Sequence, residues 1–401
     1  MAEESKPVLV RERLDVCELD RARMSLLNPA LIAQKIEART IDENAKPILE
    51  MTMKEGIETV WDRFEMQQPP CKHCEAGTSC ARCTMGPCRI IPPHRIRGVC
   101  GADADLIVSR NLLDTIATGA AAHSDHGRDI VETLYLVGSG KTKDYGIADP
   151  EKLRRLCEEF KIATGNKEPK KLAEELGRAI LEEYGMVKNT LQFLGRAPKG
   201  TRETWTKLGI TPRGIDREVV DCMHRIQMGV GANYVDILLQ GLRCSLSDGW
   251  GGSMVGTDVS DVLFGTPSVM RSKVNLAVLR EDHVNIAVHG HNPVLSEMVV
   301  NACRDPELIA LAKKNGAKGI NLIGLCCTGS ELLMRKGVPM SGNHLNQELV
   351  IATGALEAMI VDYQCIFPSL PRIASCYHTQ IISTSLKVLL GIDRTYLGEG
   401  R

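Results

Sequence analysis

Residues 71–88 read "CKHCEAGTSCARCTMGPC", five cysteines in eighteen positions, and Cys100 follows after "RIIPPHRIRGV". Nothing else in the chain restricts its folding as strongly. Thiols this dense must be held by a metal, by one another or by an apolar interior, and each choice demands a different structure around them. The N-terminal stretch "MAEESKPVLVRERLD" is charged and lacks the apolar run of a secretory signal, so a cytoplasmic location is expected. In that reducing compartment, clustered thiols bind metals or do redox chemistry rather than form disulfides.

The spacing Cys80-x2-Cys83-x4-Cys88-x11-Cys100 supplies four thiolates in and just after one loop. An iron–sulfur cluster wants four sulfurs, three wrapping one side and a remote one closing the other. Gly86 and Pro87 allow the backbone to turn tightly around such a core. Zinc is the rival for four thiolates, but three unevenly spaced ligands in one tight loop favour the cluster over two paired knuckles. Cys71-Lys-His-Cys74 is then left over. Two cysteines are half of a four-thiolate site that a two-fold-related chain would complete. They also suit a redox-active pair, or a site that includes His73, and the spacing leaves these open.

The remaining features describe an ordinary globular chain of 401 residues, enough for two or three domains. A net charge of −1 and 4% aromatic residues argue against a nucleic-acid partner, and no run approaches the roughly 18 apolar residues of a membrane span. From about residue 20 to 250 the periodicity is helical. "DPEKLRRLCEEFKIA" puts Leu153, Leu156, Cys157 and Phe160 on one stripe, and "KKLAEELGRAILEEYG" repeats the pattern. "DREVVDCMHRIQMGVGANYVDILLQGL" reads as one long, mostly buried helical stretch, and "LSDGWGGSMVGTD" as a glycine-rich break and boundary.

Beyond about residue 265 the pattern changes. "VNIAVHG" (284–290), "GINLIGLCC" (319–327), "QCIFPS" (364–369) and "TQIISTS" (379–385) read as buried strands, with helical stretches such as "NHLNQELVIATGALEAMIVD" between them. The expected organisation is a helical domain over residues 1–265 carrying the cluster loop, then a doubly wound, Rossmann-like parallel sheet over 266–401. Ligands of such sheets gather at the carboxyl ends of the strands. Those ends here read "HGHN", "CCTG" and "QC", each with a metal-binding side chain. His289 and His291, and Cys326 and Cys327, are equal candidates on this reasoning. His123 and His126, three apart on a helical stretch, share a face.

"CARCTMGPCRI", "AAAHSDHGR" (120–128), "VHGHNPVLSE" (288–297), "GLCCTG" (324–329) and "DYQC" (362–365) together resemble the catalytic subunit of nickel-dependent, anaerobic carbon monoxide dehydrogenases. The resemblance runs from about residue 60 to the end of the chain. The related hybrid-cluster proteins, hydroxylamine reductase-like, share the architecture without this full set. The resemblance implies that Cys80, Cys83, Cys88 and Cys100 hold a [4Fe–4S] relay cluster. It places Cys71 and Cys74 at a cluster bridging two subunits of a homodimer, [2Fe–2S] or [4Fe–4S], with the short Cys-x2-Cys form favouring two irons. It makes His291, Cys327 and Cys365 ligands of a nickel–iron–sulfur cluster, the second residue of each ambiguous pair. His123 becomes the acid–base residue and His126 the next step of a proton path, beyond which Asp129 and Glu132 stand where other members have histidines.

The implied reaction is oxidation of carbon monoxide with water to carbon dioxide, two protons and two electrons. The electrons pass through the relay and bridging clusters to ferredoxin or a similar carrier, and acetyl-CoA synthase is a further partner known in this family. The family's active cluster also uses three cysteines and a lysine on a third α/β domain, to which nothing after Cys365 corresponds. The expectation is therefore a chain that needs a complementing polypeptide or downstream sequence for activity. The alternative is a non-catalytic electron-transfer or dimerisation module.

Overall fold

Asp103 accepts a hydrogen bond from the Leu106 N–H (3.0 Å) and so caps the longest described helix, Ala104–Gly138. The structure, a computed structural model, describes residues 29–186 and 189–388. It divides into two units, one running from Pro69 to Ser268 and the other joining the residues up to Gln68 to those from Val269 onward.

In the first unit the long helix is the central element. Leu106, Ile107, Leu113, Ala117 and Ala120 form its buried stripe and pack with Cys222 of helix Ile215–Arg225 and with Ile237 and Cys244 of helix Tyr234–Ser247. Its C-terminal half lies along helix Pro169–Tyr184, where Gly177 faces Tyr135. The stretch expected as one helix over 216–242 is two, separated by the residues around Gly229 and Gly231, with Asn233 capping the second. The expected break at "LSDGWGGSMVGTD" is instead a π-helical turn, Asp248–Ser253, that joins helix Tyr234–Ser247 to helix Met254–Phe264. Close packing explains two of its glycines, Gly251 and Gly252. A Cβ on Gly252 would lie 2.9 Å from Ser124 N and 3.0 Å from the His123 carbonyl carbon, so only glycine lets this turn reach the long helix. The thiol-rich segment is a loop, as its Gly and Pro content implies, with one short antiparallel pair, β1 (Ser79–Cys80) and β2 (Cys88–Arg89).

The second unit contains a five-stranded, wholly parallel sheet in the order β5-β4-β3-β6-β7, where β3 is Val284–Gly290, β4 Ile320–Leu325, β5 Met340–Gly342, β6 Ala358–Val361 and β7 Gln380–Ser383. Successive residues of β3 serve opposite faces. Ala287 joins a core with Ile323, Leu349 and Met359, and Val288 joins one with Val300, Leu322 and Leu332. Burial on both faces is what a parallel sheet requires.

Two expectations are corrected here. "QCIFPS" is not a strand, because Gln364 and Cys365 have φ of 67° and 59°, a left-handed turn that no strand accommodates. The strand is β6, a few residues earlier, inside a stretch that reads as helical. The residues before Gln68 do not group with the helical domain but with the sheet. Ile32, Ile36, Leu49 and Met53 are buried in the core that contains Ala287, and buried Glu348 accepts hydrogen bonds from Val60 N and Arg63, both at 2.6 Å. Helical periodicity reveals that a stripe is buried but not which neighbour buries it.

Candidate metal centres

The loop at 71–100 is fastened to the long helix by Asn111, whose amide donates to the carbonyls of Gly77 (2.9 Å) and Ser79 (2.8 Å), and by an ion pair between Arg82 and Asp114 (2.7 Å). Pairing of β1 with β2 sets Cys80 opposite Cys88. The Val99 N–H points at the Cys88 sulfur, 3.4 Å away, which returns the chain beside Cys100. N–H donors of this kind stabilise thiolates and tune clusters bound to them. The Cys100 thiol is held below its ordinary value by the Ala102 backbone, with Arg110 adding to the effect. Cys80, Cys83, Cys88 and Cys100 are all free and none is buried, so four ionisable sulfurs are available and the donor set fits an iron–sulfur cluster. Cys71 and Cys74 are exposed. Backbone N–H groups of Cys74 and His73 lower the Cys71 thiol, and Ser79 Oγ approaches the Cys74 sulfur at 3.9 Å.

In the same unit, His123 Nδ1 lies 2.9 Å from Asp248 Oδ1 and 3.2 Å from Ser253 Oγ. The hydrogen bond to Asp248 raises the imidazole pKa. Nδ1 is thereby committed to the carboxylate and Nε2 is left for chemistry. His126 faces helix Met254–Phe264, its ring 3.8 Å from where a Cβ of Gly256 would be. The role of Asp248 is not evident in the sequence, where it sits in a run that resembles a break. Recognising that run as a helical turn with packing glycines would have found it.

In the sheet unit, β3, β4 and β6 end side by side, and Gly290 forms a bridge with Cys326. Asp362, buried just after β6, ties the three ends together. It accepts hydrogen bonds from His291 N (2.6 Å), Asn292 N (3.2 Å), Tyr363 N and Thr328 Oγ1 (2.7 Å). Gly290, with φ of 137°, is needed here because a Cβ would lie 2.0 Å from Asp362 Oδ1. Burial pushes the Asp362 carboxyl up to about 6 against the pull of these donors.

His291, Cys326, Cys327, His344 and Cys365 line one cavity of about 480 Å³. His289 does not. It is fully buried, bonded through Nε2 to Gln347 Oε1 (2.9 Å), and burial lowers its pKa to about 4. Between the two histidines, the geometry therefore favours His291. Between the two cysteines it does not choose, since both line the cavity. The tightest group is Cys326, His344 and Cys365, whose donor atoms all lie within 4.8 Å of one another. His344 carries no signal in the sequence, because β5 is only three residues long, yet it too follows the carboxyl end of a parallel strand.

This combination of a helical unit with a thiol loop and a parallel sheet with sulfur and imidazole donors at its strand ends defines a class of metalloprotein. The Prismane/CO dehydrogenase family profile matches residues 78–396, and the chain belongs to that family. It is 53% identical over 351 residues to carbon monoxide dehydrogenase 1 of Methanosarcina mazei, covering 87% of this chain and 56% of that one. It is 40% identical over 362 residues to the carbon monoxide dehydrogenase/acetyl-CoA synthase subunit beta of Moorella thermoacetica, covering 89% and 53%. The fold superposes on a nickel-free carbon monoxide dehydrogenase from Thermococcus sp. AM4 with a TM-score of 0.87 at 48% identity, over 88% of this chain and 57% of that one. The chain thus spans little more than half the length of the relatives it matches. No described helix is long and apolar enough to cross a membrane.

Proposed function

We propose that this chain contributes the relay, bridging and part of the active-cluster ligands of a nickel-dependent carbon monoxide dehydrogenase. The observation that carries the reading is the convergence of His291, Cys327 and Cys365 on one cavity at the carboxyl ends of three parallel strands. These residues would hold a nickel–iron–sulfur cluster as part of its ligand set. When bound, such a cluster supplies nickel to take carbon monoxide and a Lewis-acidic iron to activate water. The protein's own tasks are to fix the ligands and to move protons. Asp362 and Gly290 fix the backbone of His291 against the strand ends. His123, its tautomer set by Asp248, takes up a proton at Nε2 and passes it to His126.

Cys80, Cys83, Cys88 and Cys100 would carry a [4Fe–4S] relay cluster, and Cys71 with Cys74 half of a cluster shared by two subunits, most simply [2Fe–2S]. Exposed apolar residues of the same unit support self-association. Val108 and Leu112 project from the long helix, and Val235, Leu238 and Leu242 from helix Tyr234–Ser247. A cytoplasmic enzyme delivering electrons to a ferredoxin-like carrier is the setting this implies. The test is carbon monoxide-dependent viologen reduction by protein isolated anaerobically from its native host. No reduction by protein with a full complement of nickel, iron and sulfide would contradict the reading, and iron with sulfide but no nickel would select the electron-transfer module instead.

A further inference from the structure

Cys326, His344 and Cys365 come from three separate elements: the first turn of helix Cys326–Lys336, the loop after β5 and the turn after β6. Their donor atoms lie within 4.8 Å of one another. A tetrahedral ion bound to two sulfurs and an imidazole holds those donors roughly 3.5–4 Å apart, so small side-chain movements would close the set.

Two further observations show that the trio is held in place. Both cysteines have left-handed backbone, with φ of 57° at Cys326 and 59° at Cys365, and they are two of only four non-glycine residues with positive φ among the described residues. Such conformations persist where the surroundings impose them, and they cluster at ligand-binding positions. Fully buried Gln347 imposes part of this one. Its amide nitrogen donates to the carbonyls of both His344 (2.7 Å) and Cys365 (3.0 Å), while its oxygen accepts from Phe367 N (2.9 Å) and bonds His289. One side chain thus fixes the backbone of two of the three candidate ligands, the outer-sphere support typical of metal sites.

We propose that Cys326, His344 and Cys365 form a mononuclear site for a borderline-soft divalent cation of the zinc, cobalt and nickel kind, with an open fourth position. Binding converts both thiols to thiolates, and their protons pass to solvent. The ligand set differs from that of the cluster proposed above but shares Cys365 with it, so one ion here and a complete cluster exclude each other. That exclusivity rests on the cluster reading. The site itself does not.

The test is anaerobic titration of the metal-free 401-residue chain with Co²⁺, whose thiolate charge-transfer and tetrahedral d–d absorption report the ligands. The cysteines at 71–100 also take cobalt, so the readout is the difference between the chain and each variant. Cys326→Ser should remove one tightly bound equivalent per chain. His344→Ala, at an exposed side chain whose loss spares the core, should weaken that equivalent about tenfold or more. His344→Cys should retain it with added thiolate absorption, and Cys327→Ser should leave it intact. Identical cobalt binding by the chain, Cys326→Ser and His344→Ala overturns the proposal, as does loss in Cys327→Ser with retention in Cys326→Ser. The cluster assignment is read separately, from carbon monoxide-dependent viologen reduction after anaerobic maturation, which a single ion at this site does not supply, so its failure is distinguishable from failure of this site.

Discussion

Cys80, Cys83 and Cys88 lie within nine residues of one another, whereas His291, Cys327 and Cys365 are spread over seventy-five. The two regions position their donors differently as a result. In the loop, short spacings and turns bring the thiols together, and Asn111 and Asp114 of the long helix, with Ile90 buried beside that helix, hold the segment. At the strand ends, nothing local relates the ligands. The parallel sheet brings their segments side by side, and a buried polar scaffold of Asp362, Thr328, Gln347 and His289 sets each backbone. A local site therefore depends on its metal for final shape, while a non-local site depends on the fold first.

That contrast yields predictions of decreasing size. Replacing Cys83 and Cys88 together with Ser should abolish the relay cluster, about four irons per chain, yet leave the melting of the metal-free chain unchanged. Iron analysis and calorimetry read the two halves, and a large fall in apo-protein stability would show that the loop thiols are structural. Asp362→Ala should do the reverse. Four donors lose their buried acceptor, so the metal-free chain should lose about 3 to 5 kcal/mol in denaturant unfolding, with no change in loop iron. A loss under about 1 kcal/mol would mean that the strand ends are not held as described.

Gly252→Ala should cost about 1 to 3 kcal/mol, since the turn must move away from the long helix at His123. Asp248→Asn should have the smallest effect, lowering the His123 pKa. Because the folded value is raised above the ordinary one, His123 contributes stability that is full below the ordinary value of about 6.5 and is lost as pH rises through the folded value. The variant should flatten this slope in unfolding measured from about pH 5 to 8. An unchanged slope would remove Asp248 as the partner.

The same difference explains what the sequence reveals. The thiol loop is legible because its ligand spacing is written in consecutive residues. Strands β3, β4 and β7 are legible as apolar runs. β6 is not, since "AMIV" follows directly on a helical pattern and the more conspicuous "QCIFPS" is a turn set by two left-handed residues. Asp362, Gln347 and Asp248 carry no local signal, because each acts on residues distant in the chain. The resemblance selects His291 over His289, and the burial of His289 agrees with it, while the grouping of Cys326 and His344 with Cys365 has no local signal and depends on the sheet bringing their loops together.

Nickel, iron and sulfide content of protein isolated anaerobically from the native host, in unmodified, Cys327→Ser and Cys83→Ser forms, tests the central assignment most directly. The strand-end assignment predicts nickel accompanied by iron and sulfide beyond those of the loop in the unmodified protein, loss of that additional iron and sulfide in Cys327→Ser with loop iron retained, and the opposite pattern in Cys83→Ser. Additional iron and sulfide that survive Cys327→Ser, or iron and sulfide with no nickel in the unmodified protein, would contradict it.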